Sequence, residues 1–251
     1  MTDATSNPQE GNDLGGNRHI HPDPPPTREV AERRRRAVMA GHTCDLDTAR
    51  SLGTDPSSVV RSAALGALAR IARVPLALSP KELATELAVG LVDSDPVVRR
   101  RGIEILGDPM IDATEVVGVA ANLLPTLLAD PDDTVVEMAC WAAGENPDLA
   151  EILVDSVVAV AGTGPDDPGH EDPLCREAAV AALGALGHVS GKAAVLAGLN
   201  QRATIRRRAV LALAAFEGAD IEEALTKALD DRDWQVRQAA EDLLGVDQEP
   251  Q

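Results

Sequence analysis

His170 and Glu171 stand side by side in "GHEDPLCREAAVAALGALGHV" (169–189), with Cys175 close behind. A histidine beside a carboxylate is material for a metal site or an acid–base pair. A thiol near a helix N-terminus is one whose pKa can fall. The same residues also make an ordinary helix start, with Asp172 as N-cap and Pro173 at the first helical position, where its missing N–H does no harm. A second cluster, "GHTCDLD" (41–47), gathers His42, Cys44, Asp45 and Asp47. It reads as metal ligands or, through Thr43-Cys44-Asp45, as the cap of the next helix. The three cysteines (Cys44, Cys140, Cys175) form no CxxC pair, and His19, His21, His42 and His188 are not followed by Glu. No nucleophile–base pair or Gly-rich phosphate loop is present. The expectation is no catalytic residue, no metal and no cofactor.

The elements that would position these residues repeat along the chain. Six segments overlay: "DPSSVVRSAALGAL" (55–68), "DPVVRRRGIEIL" (95–106), "DTVVEMACWAAG" (133–144), "DPLCREAAVAAL" (172–183), "ATIRRRAVLAL" (203–213) and "DWQVRQAAEDLL" (233–244). Their shared charged position is Arg61, Arg99, Glu137, Arg176, Arg206 and Arg237, at successive spacings of 38, 38, 39, 30 and 31 residues. Periods in this range mark helical solenoids. Asp95, Asp133, Asp172 and Asp233, four residues earlier, are expected N-caps. Three residues on come Ala64, Gly102, Cys140, Ala179, Ala209 and Ala240; four beyond those come Leu68, Leu106, Gly144, Leu183, Leu213 and Leu244. That spacing makes one apolar stripe with room for close helix packing. Cys175 shares a hydrophobic column with Val60, Val98, Val136, Ile205 and Val236. Trp141 falls beside Leu65, Ile103, Val180 and Val210 and is expected in the core. A shorter apolar segment precedes each copy, so each unit reads as a hairpin of a helix A and the overlaid helix B.

These segments, "LLPTLLADPDDTVVEMACWAAGE", "LVDSDPVVRRRGIEIL" and "LDDRDWQVRQAAEDLL" among them, resemble the HEAT repeat, particularly the short type of the phycobilisome lyases. The resemblance covers about residues 44–245. It implies an all-α solenoid of about six helix hairpins. Composition, rich in Pro, Gly, Asn and Asp with few apolar residues, makes 1–27 a disordered acidic, Pro-rich arm; a first helix follows from residue 28, the solenoid domain spans 28–245, and 246–251 are a disordered tail. The arginine column then serves structure: Arg61, Arg99, Arg176, Arg206 and Arg237 link one repeat to the next, and Glu137 breaks the series. The resemblance also places the B helices on the concave side. Their outward row, Ser62, Arg100, Met138, Glu177, Arg207 and Gln238, would floor a groove, with Arg101 and Arg208 completing two basic spots. The deoxyhypusine hydroxylases, which share HEAT-like repeats, carry several His-Glu pairs at helical places; here that place holds Arg176-Glu177. His170 therefore reads as loop.

Charge narrows the functions. Forty-one Asp+Glu against 23 Lys+Arg give a formal net charge of −18, which repels nucleic acid and anionic membranes. Neither an export signal nor a run of transmembrane length is apparent, and three scattered cysteines suit a reducing compartment, so a cytoplasmic chain is expected. Aromatic residues are 1%, with no tyrosine, which suits stacked helices of small aliphatic residues. The expected function is a non-catalytic scaffold that binds another protein and is monomeric alone. The 162–172 loop and Trp234 are secondary contacts, Trp234 being either an interface anchor or a cover for the end of the core. Two other readings follow the fold resemblance: a HEAT-like nucleic-acid repair protein, favoured by "RRRR" (33–36), "RRR" (99–101) and "RRR" (206–208), and a lyase or cofactor chaperone.

Overall fold

The computed structural model describes residues 27–245 apart from 112. The tail and all of the arm but Thr27 lie outside the described residues; Thr27 caps the first helix by accepting from the Val30 amide at 3.3 Å. Among the described residues the chain is helical with no strand. The B helices are α1 (Arg28–Thr43), α3 (Ser58–Ala72), α5 (Pro96–Leu106), α7 (Asp133–Gly144), α9 (Pro173–Leu186), α11 (Ala203–Ala212) and α13 (Trp234–Leu244). The A helices are α2 (Leu46–Leu52), α4 (Pro80–Leu91), α6 (Thr114–Leu127), α8 (Ala150–Ala161), α10 (Lys192–Gly198) and α12 (Ala219–Ala228). Six hairpins, α2–α3 to α12–α13, stack in order, and α1 packs on α3 as an unpaired helix of the B kind.

Each B helix packs on the next. Along the other layer α4, α6, α8 and α10 touch in turn, but α2 and α4, and α10 and α12, make little contact. Small residues allow the closer B layer. A Cβ on Gly184 would meet Ala212 Cα at 2.8 Å, and one on Gly41 would meet Ala67 Cα at 2.9 Å. A layer packed this closely on one side curves the stack toward that side, so the B helices form the inner face. One core runs the length of the array, from Ala49 and Leu68 through Ile103, Val135 and Leu153 to Leu183, Leu213 and Val236.

Helix starts follow simple chemistry. Asp95, Asp132, Asp172 and Asp233 cap α5, α7, α9 and α13, accepting from the amides of Val97, Thr134, Leu174 and Gln235 at 2.8–3.0 Å. Asp45 caps α2 by accepting from the Thr48 amide at 3.0 Å. Asp132, rather than Asp133, starts α7, and the overlay of the third unit moves by one residue. The buried column is then Val60, Val98, Val135, Cys175, Ile205 and Val236, and the small column takes Ala139. The arginine position becomes Val136, fully buried, so apolar packing replaces a charge there. Glu137 moves to the groove row in place of Met138, which is half-buried against the core. Trp141, expected inside, is 42% exposed, because Cys140 occupies the core place beside Leu65 and Ile103.

The arginines stitch neighbouring units. From α3, α5, α9, α11 and α13 a guanidinium turns one nitrogen back to its own entry loop: Arg61 Nη1 donates to Asp55 O and Arg99 Nη1 to Asp93 O, both at 2.9 Å. The other two nitrogens grip the next loop. Arg61 meets Asp93 at 2.8 and 2.7 Å, Arg99 meets Asp130 at 2.8 and 2.7 Å, and Arg206 meets Asp231 at 2.8 Å twice. Arg33 begins the series on Asp55. Such forks fix register as well as attract. Two joints differ. Arg176 donates to the amide oxygen of Gln201 at 2.9 Å, and between α7 and α9 Val136 and His170 stand where an arginine and an aspartate would be. Among the described residues Arg237, in the last unit, bonds its own loop, at Asp231 O, and no following one.

Candidate protein-binding groove

His170, the residue that first suggested chemistry, stands two places before the cap of α9, where other units carry aspartate. Its Nδ1 accepts from the Asp172 amide at 3.1 Å, as Asp93 Oδ1 accepts from Asp95 and Asp231 Oδ1 from Asp233. It is a turn residue. Cys175 is buried, its Sγ donating to Asp133 O at 3.3 Å. Burial also pushes the Cys140 thiol far above the ordinary range, so neither thiol is presented to solvent as a nucleophile. No three His, Cys, Asp or Glu side chains converge as metal ligands among the described residues.

The inner face of the B helices carries three adjoining hollows. The first, about 550 Å³, lies over α1, α3 and α5 and is lined by Arg34, Ser62, Arg70, Arg100, Arg101 and Glu104 among others. Arg101 donates to Glu104 at 2.8 Å, and Arg100 approaches the same carboxylate at 3.8 Å. The second, about 350 Å³, crosses α7 and α9. Alanines 178, 181, 182 and 185 floor it, Trp141 and Leu174 wall it, and Glu137, Glu145 and Glu177 face it. Trp141 is held on its far side by Gly107, where a Cβ would meet the indole at 2.5 Å. The third, about 140 Å³, joins Glu177 to Thr204, Arg207, Arg208 and Asp233, with Arg208 donating to Glu177 at 3.3 Å. The groove thus runs from a basic end, through an acidic and aromatic middle, to a mixed end.

The structure brings Ser62, Arg100 and Arg101 together, and separately Glu177, Arg207 and Arg208. Gln238 is exposed near the C-terminal end and is tied to Asp242 at 2.9 Å. Trp234, 64% exposed, leaves its ring uncovered rather than sealing the end of the core. The 162–172 loop is ordered by reciprocal Gly164–Asp167 backbone bonds and by His170 N donating to Val160 O, and it lines none of the three hollows. Trp141, Glu137, Glu145, Arg34 and Arg70 line the groove although the repeat overlay did not select them. The first aspartate of each D-x-D doublet (Asp93, Asp130, Asp231) was the legible sign of the arginine partners. Each pairing favours the charged form of both partners. The Arg33, Arg61 and Arg206 guanidinium bonds hold Asp55, Asp93 and Asp231 below the usual carboxylate range, and the arginines rise in turn.

No family profile and no curated protein matches the chain by sequence. Solved structures share its architecture. YibA of Escherichia coli is 20% identical with a TM-score of 0.54, over 82% of this chain and 73% of YibA. A designed armadillo repeat protein in complex with the peptide (KR)4 is 16% identical with a TM-score of 0.54, over 80% of this chain and 98% of its own. A chain from the structure of Kap95p bound to RanGDP is 15% identical with a TM-score of 0.56, over 84% of this chain and 32% of its own. The fold is an α-solenoid of armadillo and HEAT-like repeats, an architecture found here in complexes with peptides and proteins. No helix among the described residues is long and apolar enough to cross a membrane.

Proposed function

We propose that this protein is a non-catalytic scaffold of the cytoplasm that holds a segment of another protein in the groove of its B helices. The observation that carries this reading is the hollow at Trp141. An indole is braced by Gly107 and left 42% exposed over an alanine floor, with three glutamates around it. A rigid aromatic of this kind anchors a partner at low entropic cost, and its face with nearby carboxylates suits a cationic side chain. The peptide-bound armadillo neighbour, whose ligand is (KR)4, supports the use of such an inner surface for an extended peptide.

Selection from a random peptide display library tests this. Wild-type protein should enrich sequences that the Trp141→Ala, Glu137→Lys double variant does not, and each enriched peptide should bind one copy of a monomeric chain. Equal enrichment by wild type and variant would remove the groove as the binding surface.

A further inference from the structure

The basic end of the groove lies over α1, α3 and α5, within a chain of formal net charge −18. The Arg34 and Arg70 guanidinium groups hold no ion pair or hydrogen bond among the described residues, whereas Arg33 beside Arg34 is forked onto Asp55 and Arg99 beside Arg100 onto Asp130. Arg101 reaches the hollow from α5. Its guanidinium lies across Gly66, where a Cβ would meet it, and it is tied to Glu104. Four guanidinium groups on three helices thus face one hollow. Of the two carboxylates there, Glu104 is shared by Arg100 and Arg101, and Asp132 is turned to the Thr134 amide and hydroxyl that it caps.

We propose that this hollow docks a short acidic segment, a run of Asp and Glu side chains, of the protein partner held in the groove. The proposal rests on the scaffold reading and gives the partner a polarity: carboxylates over α1–α5, and a cationic or apolar side chain at Trp141. Guanidinium forks match carboxylates in geometry as well as in charge. A nucleic acid fits less well, because its phosphates continue at every nucleotide while the basic surface does not. The next hollow along presents Glu137, Glu145 and Glu177, which would oppose a continuing phosphodiester backbone.

Fluorescence anisotropy with labelled octa-aspartate, at about 50 mM salt where surface charge is weakly screened, reads the site directly. Wild-type protein should bind. The Arg70→Ala, Arg100→Ala double variant should bind about tenfold more weakly, two exposed charge contacts being worth roughly that factor. Arg207→Ala with Arg208→Ala, and Trp141→Ala, should leave the affinity unchanged, with circular dichroism confirming that each variant is folded. No binding, or equal loss in the Arg207/Arg208 variant, would overturn the site. Tighter binding of an eight-nucleotide oligothymidine, lost in the Arg70/Arg100 variant, would overturn it in favour of nucleic acid. If the arginine variants have no effect while peptides selected through Trp141 still bind, this proposal falls alone; if those peptides also ignore Trp141, the scaffold reading falls too.

Discussion

At the scale of single residues, adjacent arginines have different jobs. Arg99 is half-buried between two repeats and forked onto Asp130, whereas Arg100 next to it faces the groove. Replacing Arg99 by Met leaves the Asp130 carboxylate without its counter-charge, a change that costs about 2 kcal/mol at partly buried pairs. Urea unfolding should show that loss for Arg99→Met and less than about 0.5 kcal/mol for Arg100→Met. The pairs also set a response to acid. Asp93 titrates below its ordinary 3.8 because of the Arg61 bond, so the folded state binds its proton later than the unfolded chain does. Its contribution is present above 3.8 and disappears as pH falls through the depressed folded value. The stability gap between wild type and Asp93→Asn should therefore be full at pH 7 and close in the acid range. A gap that stays constant down to unfolding would show that Asp93 acts through its turn hydrogen bond to Asp95 and not through charge.

At the scale of elements, two glycines on inner helices make opposite predictions. Gly184 in α9 sits against the Ala212 backbone of α11, so a methyl group has no room, and overpacking outweighs the helix propensity gained. Gly66 in α3 is opposed most closely by the movable end of Arg101, so Ala there keeps most of its propensity gain of about 1 kcal/mol. Thermal unfolding should place Gly184→Ala below wild type and Gly66→Ala at or above it. The same elements show what the sequence made legible. Aspartate caps, first-turn prolines and the spacing of Val, Ala and Leu are local signals, and they place six hairpins without any knowledge of contacts. The B helix of the third unit slipped by one residue for an equally local reason. "DPDDTVVEMACWAAG" offers several aspartates and doubles its apolar positions, with Val135 and Val136, Ala139 and Cys140, and Ala142 and Ala143 all buried. Two registers fit that string, and only packing against α5 and α9 chooses. The choice carried Trp141 from the core to the groove. The partners of the arginines, 25–32 residues away, lay beyond any local signal except the D-x-D doublets.

At the scale of the whole molecule, stability in a stack of repeats is close to a sum of unit and neighbour terms, so unlike joints can fail separately. The joints are unlike. Arg33–Asp55, Arg61–Asp93 and Arg99–Asp130 tie the N-terminal units, and Arg206–Asp231 ties the C-terminal pair. The joint between α7 and α9 has buried Val136 in place of the arginine, and that between α9 and α11 uses the neutral amide of Gln201. Neither middle joint has an arginine forked onto a loop aspartate; the carboxylates across them are Asp133, 3.8 Å from His170, and the groove-facing Glu177, 3.3 Å from Arg208. As pH falls below 3.8 the lowered carboxylates at Asp55, Asp93 and Asp231 take up protons, and the outer joints lose what their charge contributed. The middle joints keep their apolar and amide contacts. Acid should therefore loosen the solenoid from both ends inward. Amide exchange measured by mass spectrometry should show α1–α3 and α11–α13 losing protection first, with α7 and α9 protected longest. Loss of protection at one common pH along the whole chain would mean that the repeats unfold as a single cooperative unit and that the central gap in the arginine series has no mechanical consequence.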